Sequence, residues 1–420
     1  MKKYMPRILD QTIKNKLEYM GAILIEGCKW CGKSTTARQF AKSYIEFQDP
    51  DKKIQYDKIN QTKPSLFLQG EKPRLFDEWQ MYPVVWDSIR VDVDHTGLKG
   101  QYILTGSARP SIDSVMHSGT GRISKILMRP MTLFESGESN GKVSLKDIYE
   151  GKEIAAVSDL SFDNMLNAMI RGGWPASLDI ESDNKYNVAK DYIKSLLTEE
   201  IKTFDGSERN PEKMNALLKS ISRNISTTTS KSTILEDIKN NFTNDMSRPT
   251  LDDYMNALEK LYILEYVPAT NLNLRSKTPL RTTPKLELVD PSLVIAALNL
   301  SKDDLLKDLN FTGFIFENMC IRDLKIYADS NDSTISYYRD KNNFEVDCIL
   351  KESNGDWGAI EIKLGAGEIE DAANNLKKFK EKIDIDKYGS PKFLMVLTGT
   401  ELSYVREDGI YVVSIGTLKN

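Results

Sequence analysis

The spacing of apolar positions changes several times along the chain, and each change predicts an element. Ala22 to Ile25 is an unbroken apolar run, the pattern of a short strand buried on both faces. Further short runs lie in PRLFDEWQ (73–80) and QYILTGS (101–107), so the N-terminal part reads as α/β with a parallel sheet. From Met214 the period lengthens. Met214, Leu217, Leu218, Ile221 and Ile225 keep helical spacing, as do Ile234, Leu235, Ile238 and Phe242. A third helix follows on Leu251, Tyr254, Met255, Leu258, Leu261 and Tyr262, announced by Ser247, Pro249 and Thr250. Strands from Ile263 to Val267 and from Leu286 to Val289 complete the order of a helix-turn-helix with a wing. Further on, Phe314 to Met319 is helix-like, and alternation in 343–350 and 357–363 predicts antiparallel strands. On that pleat Glu345 and Asp347 share one face, as do Glu361 and Lys363.

The 420 residues suggest two to four domains, and 40% hydrophobic with 28% charged residues excludes a disordered chain. No apolar run is long enough to span a membrane, and MKKYMPRILDQT lacks the apolar stretch of a secretory signal. A formal charge of −4 excludes a uniformly basic coat for nucleic acid and leaves room for a local patch. Four scattered cysteines point to a reducing cytoplasm rather than a disulfide scaffold. With His95 and His117 the only histidines, a His-rich zinc site is excluded. A catalytic metal would rest on carboxylates and phosphates, which points to magnesium.

The strongest chemical signal is GCKWCGKS. Gly27 and Gly32 bracket four residues and are followed by Lys33 and Ser34, matching G-x-x-x-x-G-K-[ST] in full. The glycines allow the backbone N–H groups of Gly27, Cys28, Lys29, Trp30, Cys31 and Gly32 to turn towards phosphate oxygens, with Thr35 opening the next helix. Lys33 would reach the β and γ phosphates, and the Ser34 hydroxyl would ligate magnesium. Cys28 and Cys31 also have C-x-x-C spacing, but positions between the glycines vary freely, so the cysteines read as passengers.

A phosphate loop needs a carboxylate for the metal and a group that activates water. Asp77 and Glu78 end a short apolar run in the same α/β segment, Asp77 suited to the magnesium and Glu78 to the general base. Thr105 or Ser107, after the strand at 102–104, could hydrogen-bond the attacking water or the γ-phosphate.

The order of GCKWCGKS, LFDEWQMYP, YILTGSAR and GTGRISKILMRPMTLFE resembles the AAA-type ATPases of bacteria and archaea. More narrowly it resembles those ATP-binding proteins whose C-terminal half is a domain of unknown function. The resemblance implies ATP and Mg²⁺ as cofactors, Thr105 as the sensor, Arg122 as an arginine finger, and Arg7 of YMPRILD near the nucleotide. An arginine finger often comes from a neighbouring subunit, which brings in a homo-oligomer as a candidate state.

In the middle of the chain, Arg171-Gly172-Gly173-Trp174-Pro175 reads as a tight turn closing a small helical region. Arg275, Lys277, Arg281 and Lys285 form a local basic patch in the wing segment. It would suit phosphate contact, whereas Asp252, Asp253 and Glu259 on the third helix would repel DNA. DNA contact and docking of a protein partner both stay open.

In the C-terminal part the order Glu317, Asp347, Glu361, Lys363 on helix, strand and strand resembles the PD-(D/E)xK restriction-endonuclease-like fold. The resemblance implies that these carboxylates bind Mg²⁺ and that Lys363 positions the nucleophile. The proline of that family's name is absent, Glu345-Val346 preceding Asp347. A retained fold that binds without cutting is the alternative.

The expected layout is thus an α/β protein with an AAA-type P-loop ATPase domain at 1–140 and a helical lid at 141–195. A winged-helix domain at 196–290 and an α/β nuclease-like domain at 291–420 follow. The expected partners are ATP, DNA and a protein, with no membrane.

Overall fold

Five parallel strands, β1 (Ala22–Glu26), β2 (Ser43–Glu46), β3 (Arg74–Asp77), β4 (Tyr102–Gly106) and β5 (Ile123–Leu127), form one sheet in the order β2-β3-β4-β1-β5. The computed structural model that contains it describes residues 4–108, 119–201, 206–242, 245–270, 283–340 and 342–420. The central strands are apolar because helices cover them: Leu9–Tyr19 and Lys33–Arg38 both pack on β1. Leu24, Phe76, Trp79, Trp86, Ile89 and Leu104 are buried in one core, each large apolar side chain contributing about 1.5–3 kcal/mol. Every strand runs parallel to its neighbours, so all their C-terminal ends, and the loops after them, lie along one edge of the sheet. Along that edge, phosphate sites of open α/β sheets are built.

The chain divides into two compact units. This sheet belongs to one, built on Met1–Pro130; the other is built on Met131–Ile201, Glu208–Glu259 and Leu264–Asn420.

The second unit holds helices Pro211–Arg223, Lys231–Asn241 and Arg248–Lys260, then an antiparallel pair, β8 (Leu264–Val267) with β9 (Lys285–Leu288). Ser247 accepts from the Thr250 N–H at 3.3 Å, opening the third helix as its sequence suggested. The basic-patch residues Arg275, Lys277 and Arg281 lie outside the described residues.

Two short strands, β6 (Val143–Ser144) and β7 (Ala155–Val157), come earlier in this unit. The rest follow β9: β10 (Ser333–Arg339), β11 (Glu345–Glu352), β12 (Trp357–Lys363), β13 (Phe393–Thr398), β14 (Leu402–Val405), β15 (Tyr411–Ser414) and β16 (Leu418–Lys419). They build a seven-stranded sheet in the order β10-β11-β12-β13-β15-β14-β7, with β16 pairing β6 separately. β11 and β12 are antiparallel, as their alternation predicts, whereas β12 and β13 are parallel. The helix Ile369–Lys382 buries Ala372, Ala373, Leu376 and Phe379 in a core shared with Ile349, Trp357 and Val396 of the sheet.

The 22-residue helix Leu309–Ser330 buries charged as well as apolar side chains. Its Arg322 bridges Asp290 at 2.8 Å and Asp323 at 2.7 Å, all three almost wholly buried. Asp290 also accepts the Gly173 N–H at 2.9 Å, and Trp174 donates to Ser292 at 2.9 Å. The Arg171–Pro175 turn is therefore a clamp on the segment after β9. Gly172 has φ +76°, and a Cβ there would lie 2.4 Å from an Asp290 oxygen, so the turn needs glycine.

Candidate functional site

In the first unit the loop after β1 has the backbone its glycines permit. A Cβ on Gly27 would fall 2.1 Å from the Met128 carbonyl oxygen, and Gly32 has φ +104° at the start of the Lys33–Arg38 helix. Lys33 is 5% exposed, and its ammonium donates to the Cys28 carbonyl at 2.7 Å, so it already lies against the loop. Trp30 (φ +64°) is half exposed at the tip, while Cys28 and Cys31 are buried thiols that form no disulfide. Burial works against a Cys31 thiolate, but Cys28, Lys33 and Arg7 outweigh it and bring the pKa down to about 6.

The acidic pair stands beside this loop. The Ser34 hydroxyl donates to Asp77 at 2.6 Å, and Thr105, at the end of β4, donates to the same Asp77 oxygen at 2.5 Å. Thr105 Oγ1 also accepts the Glu78 N–H at 3.2 Å, tying β3 and β4 together at the sheet edge. Glu78 has the left-handed backbone (φ +55°), which turns it away from the line of β3. Its carboxylate accepts from Gln80 at 2.5 Å and Ser107 at 2.9 Å. Ser34, Asp77, Thr105 and the Glu78 backbone thus meet, Ser107 joins them through the Glu78 carboxylate, and Lys33 precedes Ser34 in the chain with its ammonium on the Cys28 carbonyl.

A magnesium ion accompanying a nucleotide takes one or two protein oxygens and fills its other positions with water and phosphate. The Ser34 hydroxyl beside the Asp77 carboxylate is such a donor set. Among the described residues no group of three or more His, Cys, Asp or Glu could hold a metal on its own, so a purely protein cage is not what this site provides.

Two arginines stand elsewhere. Arg7 is 7% exposed, and its guanidinium donates to the Cys31 carbonyl at 2.9 Å and the Arg129 carbonyl at 2.8 Å. It braces the phosphate loop. Arg122 immediately precedes β5, whose register pairs Ile123 with Ala22, the first residue of β1. It therefore lies at the opposite end of the sheet from the loop, about 17 Å away for five residues at about 3.3 Å each. Its exposed guanidinium pairs with Asp94 at 2.6 Å.

The second unit gathers the C-terminal residues on Leu309–Ser330, β11 and β12. Asp347 accepts from Lys363 at 3.1 Å and from the Ile362 N–H at 2.9 Å. Glu361 pairs with Lys363 at 2.9 Å and accepts from Asn375 at 2.7 Å. A lysine outside this expected set joins them. Lys285, expected in the basic patch of the wing, is only 1% exposed and bonds Glu345 at 2.7 Å and Glu317 at 2.8 Å. As a wing contact it is ruled out, because the first residue of β9 points into the carboxylates and not to solvent. Burial pushes the Glu317 and Glu361 carboxyls up to about 8 in spite of their lysines. Asp347 goes the other way: burial opposes its charge, but Lys285, Lys363 and the Ile362 N–H hold it well below the usual carboxylate range. Glu317 and Lys363 also border a cleft of about 990 Å³, whose wall includes Phe314, Leu402 and Tyr404.

The acidic residues of the Arg248–Lys260 helix are not bare charges. Asp252 pairs with Lys231 at 2.6 Å and Asp253 with Arg209 at 2.9 Å, while Glu259 accepts from Tyr266.

Residues 20–136 match the family model of the AAA domain, and the parallel sheet with its phosphate loop is the fold of a P-loop ATPase domain. Residues 163–304 and 312–418 match the models of two domains of unknown function, DUF8612 and DUF4143. Solved structures with a similar course include a Walker-type ATPase of Pyrococcus abyssi, 13% identical, covering 69% of this chain and 94% of that one at a TM-score of 0.43. Another is the Aeropyrum pernix ORC1 protein in complex with DNA, 13% identical, covering 74% of this chain and 97% of that one at a TM-score of 0.24. A search of curated proteins found no match. No helix among the described residues is long and apolar enough to cross a membrane.

Proposed function

We propose that the first unit binds ATP with Mg²⁺ and hydrolyses it, and that its nucleotide state governs how the second unit engages DNA. The observation that carries the hydrolysis reading is the continuous chain from Ser34 through Asp77 to Thr105, beside Lys33 and Glu78. Ser34 and Asp77 would hold the magnesium, which would offset the negative charge of the phosphates. The Lys33 ammonium, resting on the Cys28 carbonyl, needs only to exchange that partner to meet the β and γ phosphates. Glu78 is the base: Gln80 and Ser107 fix its carboxylate, which accepts the proton of the attacking water. Thr105 keeps the metal ligand and the base in register, since it bonds the side chain of one and the backbone of the other. An arginine finger from Arg122 would have to enter from a second copy of the chain, which is the basis for reading the active form as a homo-oligomer.

Support for DNA engagement comes from the three helices followed by the β8–β9 pair, in winged-helix order, and from the pairing of Asp252 and Asp253 with basic side chains. The partly exposed apolar wall of the cleft, Phe314, Leu402 and Tyr404, favours a second reading, binding of a protein partner. ATP turnover by the intact protein and its Lys33→Ala variant tests the first part; full turnover in the variant removes it. A salt titration of DNA binding with ATP and with ADP tests the second. A log–log slope near zero, or no difference between nucleotides, would leave the protein-partner reading.

A further inference from the structure

Asp347, Glu361 and Glu317 stand where the restriction-endonuclease resemblance would place a divalent cation, but a charge of the chain's own already stands against two of them, Glu317 and Asp347. The Lys285 ammonium lies 2.8 Å from Glu317, 2.7 Å from Glu345 and 3.5 Å from Asp347. We propose that Lys285 is the resident cation of this carboxylate cluster, so that the second unit binds no divalent metal there and cuts no phosphodiester bond.

Most of the carboxylate oxygens already have a partner. Asp347 faces Lys285 with one oxygen and Lys363 and the Ile362 N–H with the other. Glu361 gives one oxygen to Lys363 and the other to Asn375. Glu317 and Glu345 each turn an oxygen to Lys285. Magnesium demands near-octahedral oxygen contacts at about 2.0–2.1 Å, and calcium needs more ligands still. Either ion would have to enter beside two ammonium groups and strip their partners from both.

The lysine cannot simply step aside. Its side chain is 1% exposed, at the start of β9, where Val267 of β8 is its partner in the ladder. An ammonium buried to this degree is tolerated only because it is paired, and without its partners it would cost several kcal/mol. The restriction-endonuclease-like resemblance calls for one lysine beside the carboxylates, a place that Lys363 would take. Lys285 is a second one, brought in from 32 residues before Glu317. It puts a second ammonium among carboxylates that would otherwise recruit an ion.

The proposal deepens the non-cutting side of the second unit and does not depend on ATP turnover, so its test runs without nucleotide. Mn²⁺ binding to the intact protein is measured by electron paramagnetic resonance, for wild type, Asp347→Asn, Lys285→Met and the Lys285→Met/Asp347→Asn double variant. Wild type and Asp347→Asn should bind the same amount. Lys285→Met should gain one Mn²⁺ per chain, lose it again in the double variant, and rise in unfolding temperature with added Mg²⁺ while wild type does not. A wild-type Mn²⁺ site that Asp347→Asn removes would overturn the proposal, as would a folded Lys285→Met that gains none. If Lys285→Met does not fold, the wild-type and Asp347→Asn comparison decides alone: equal binding upholds the proposal and a lost site overturns it. ATP turnover measured on the same preparations separates this outcome from failure of the ATPase reading.

Discussion

Ser34 and Asp77, 43 residues apart in the chain, meet at 2.6 Å. One opens the helix after β1 and the other ends β3, strands that are not neighbours: β4 lies between them and contributes Thr105 to the same Asp77 oxygen. Three strand ends thus converge on a single carboxylate, and the chemistry expected at each can be tested separately.

Removing the charge that meets phosphate should differ from removing the base. Lys33→Ala should weaken nucleotide binding by roughly ten- to a hundred-fold, the value of a charge-assisted hydrogen bond of about 1.5–3 kcal/mol, and abolish turnover. Glu78→Gln should leave binding intact and lower kcat by roughly a hundred- to ten-thousand-fold. Fluorescent-nucleotide titration and phosphate release measure the two effects. Equal loss of binding in both variants would refute the division of labour.

Arg122 gives an experiment on assembly. It lies at the far end of its own sheet from the phosphate loop, so Arg122→Ala should leave the turnover of dilute, monomeric protein within about twofold of wild type. Its exposed pair with Asp94 predicts an unchanged unfolding temperature. Turnover that rises with protein concentration in wild type but not in the variant is the expected mark of a finger supplied by a second copy.

The Arg171–Pro175 clamp should be sensitive to a single methyl group. Gly172→Ala would place a Cβ 2.4 Å from both an Asp290 oxygen and Ser292 Oγ on a backbone with φ +76°, costing at least about 1–3 kcal/mol. Asp290→Ala would strip Arg322 of one of its two carboxylates in the interior, with a loss of about 3–5 kcal/mol. Urea unfolding monitored through the buried Trp174 reads both changes.

The carboxylate cluster should make stability depend on pH. Burial raises Glu361 from the ordinary 4.5 to about 8, and Glu317 likewise, so between those values the folded chain holds protons that the unfolded chain has released. The contribution is complete below about 4.5 and is lost as pH rises through about 8. The urea midpoint of wild type should fall between pH 5.5 and pH 8.5 by more than that of Glu361→Gln, whose amide does not titrate. Identical pH slopes would contradict it.

Much of the first unit was legible because its signals are local. A phosphate loop is a run of adjacent residues whose glycines answer to their own backbone, Gly27 beside a carbonyl and Gly32 at positive φ, and the apolar runs mark strands covered on both faces. Alternation likewise announced β11 and β12. The parallel course of β13 beside β12 was not legible, since a pairing direction leaves no mark in either strand's own period.

Residue type, spacing and period in the amino-acid sequence were enough to determine an α/β chain with a P-loop sheet and a set of chemically capable side chains. Which of those side chains face one another was a matter for tertiary structure. Arg122 is adjacent in sequence to β5, but only the register of β5 on β1 puts it at the wrong end for its own phosphate loop. Lys285 looks in sequence like one more surface cation near Arg281, and only the packing of β9 beside Glu317 and β11 makes it the buried partner of three carboxylates. The physical reason is that a lysine's role follows from the charges and the water around its ammonium, and distant parts of the chain supply both.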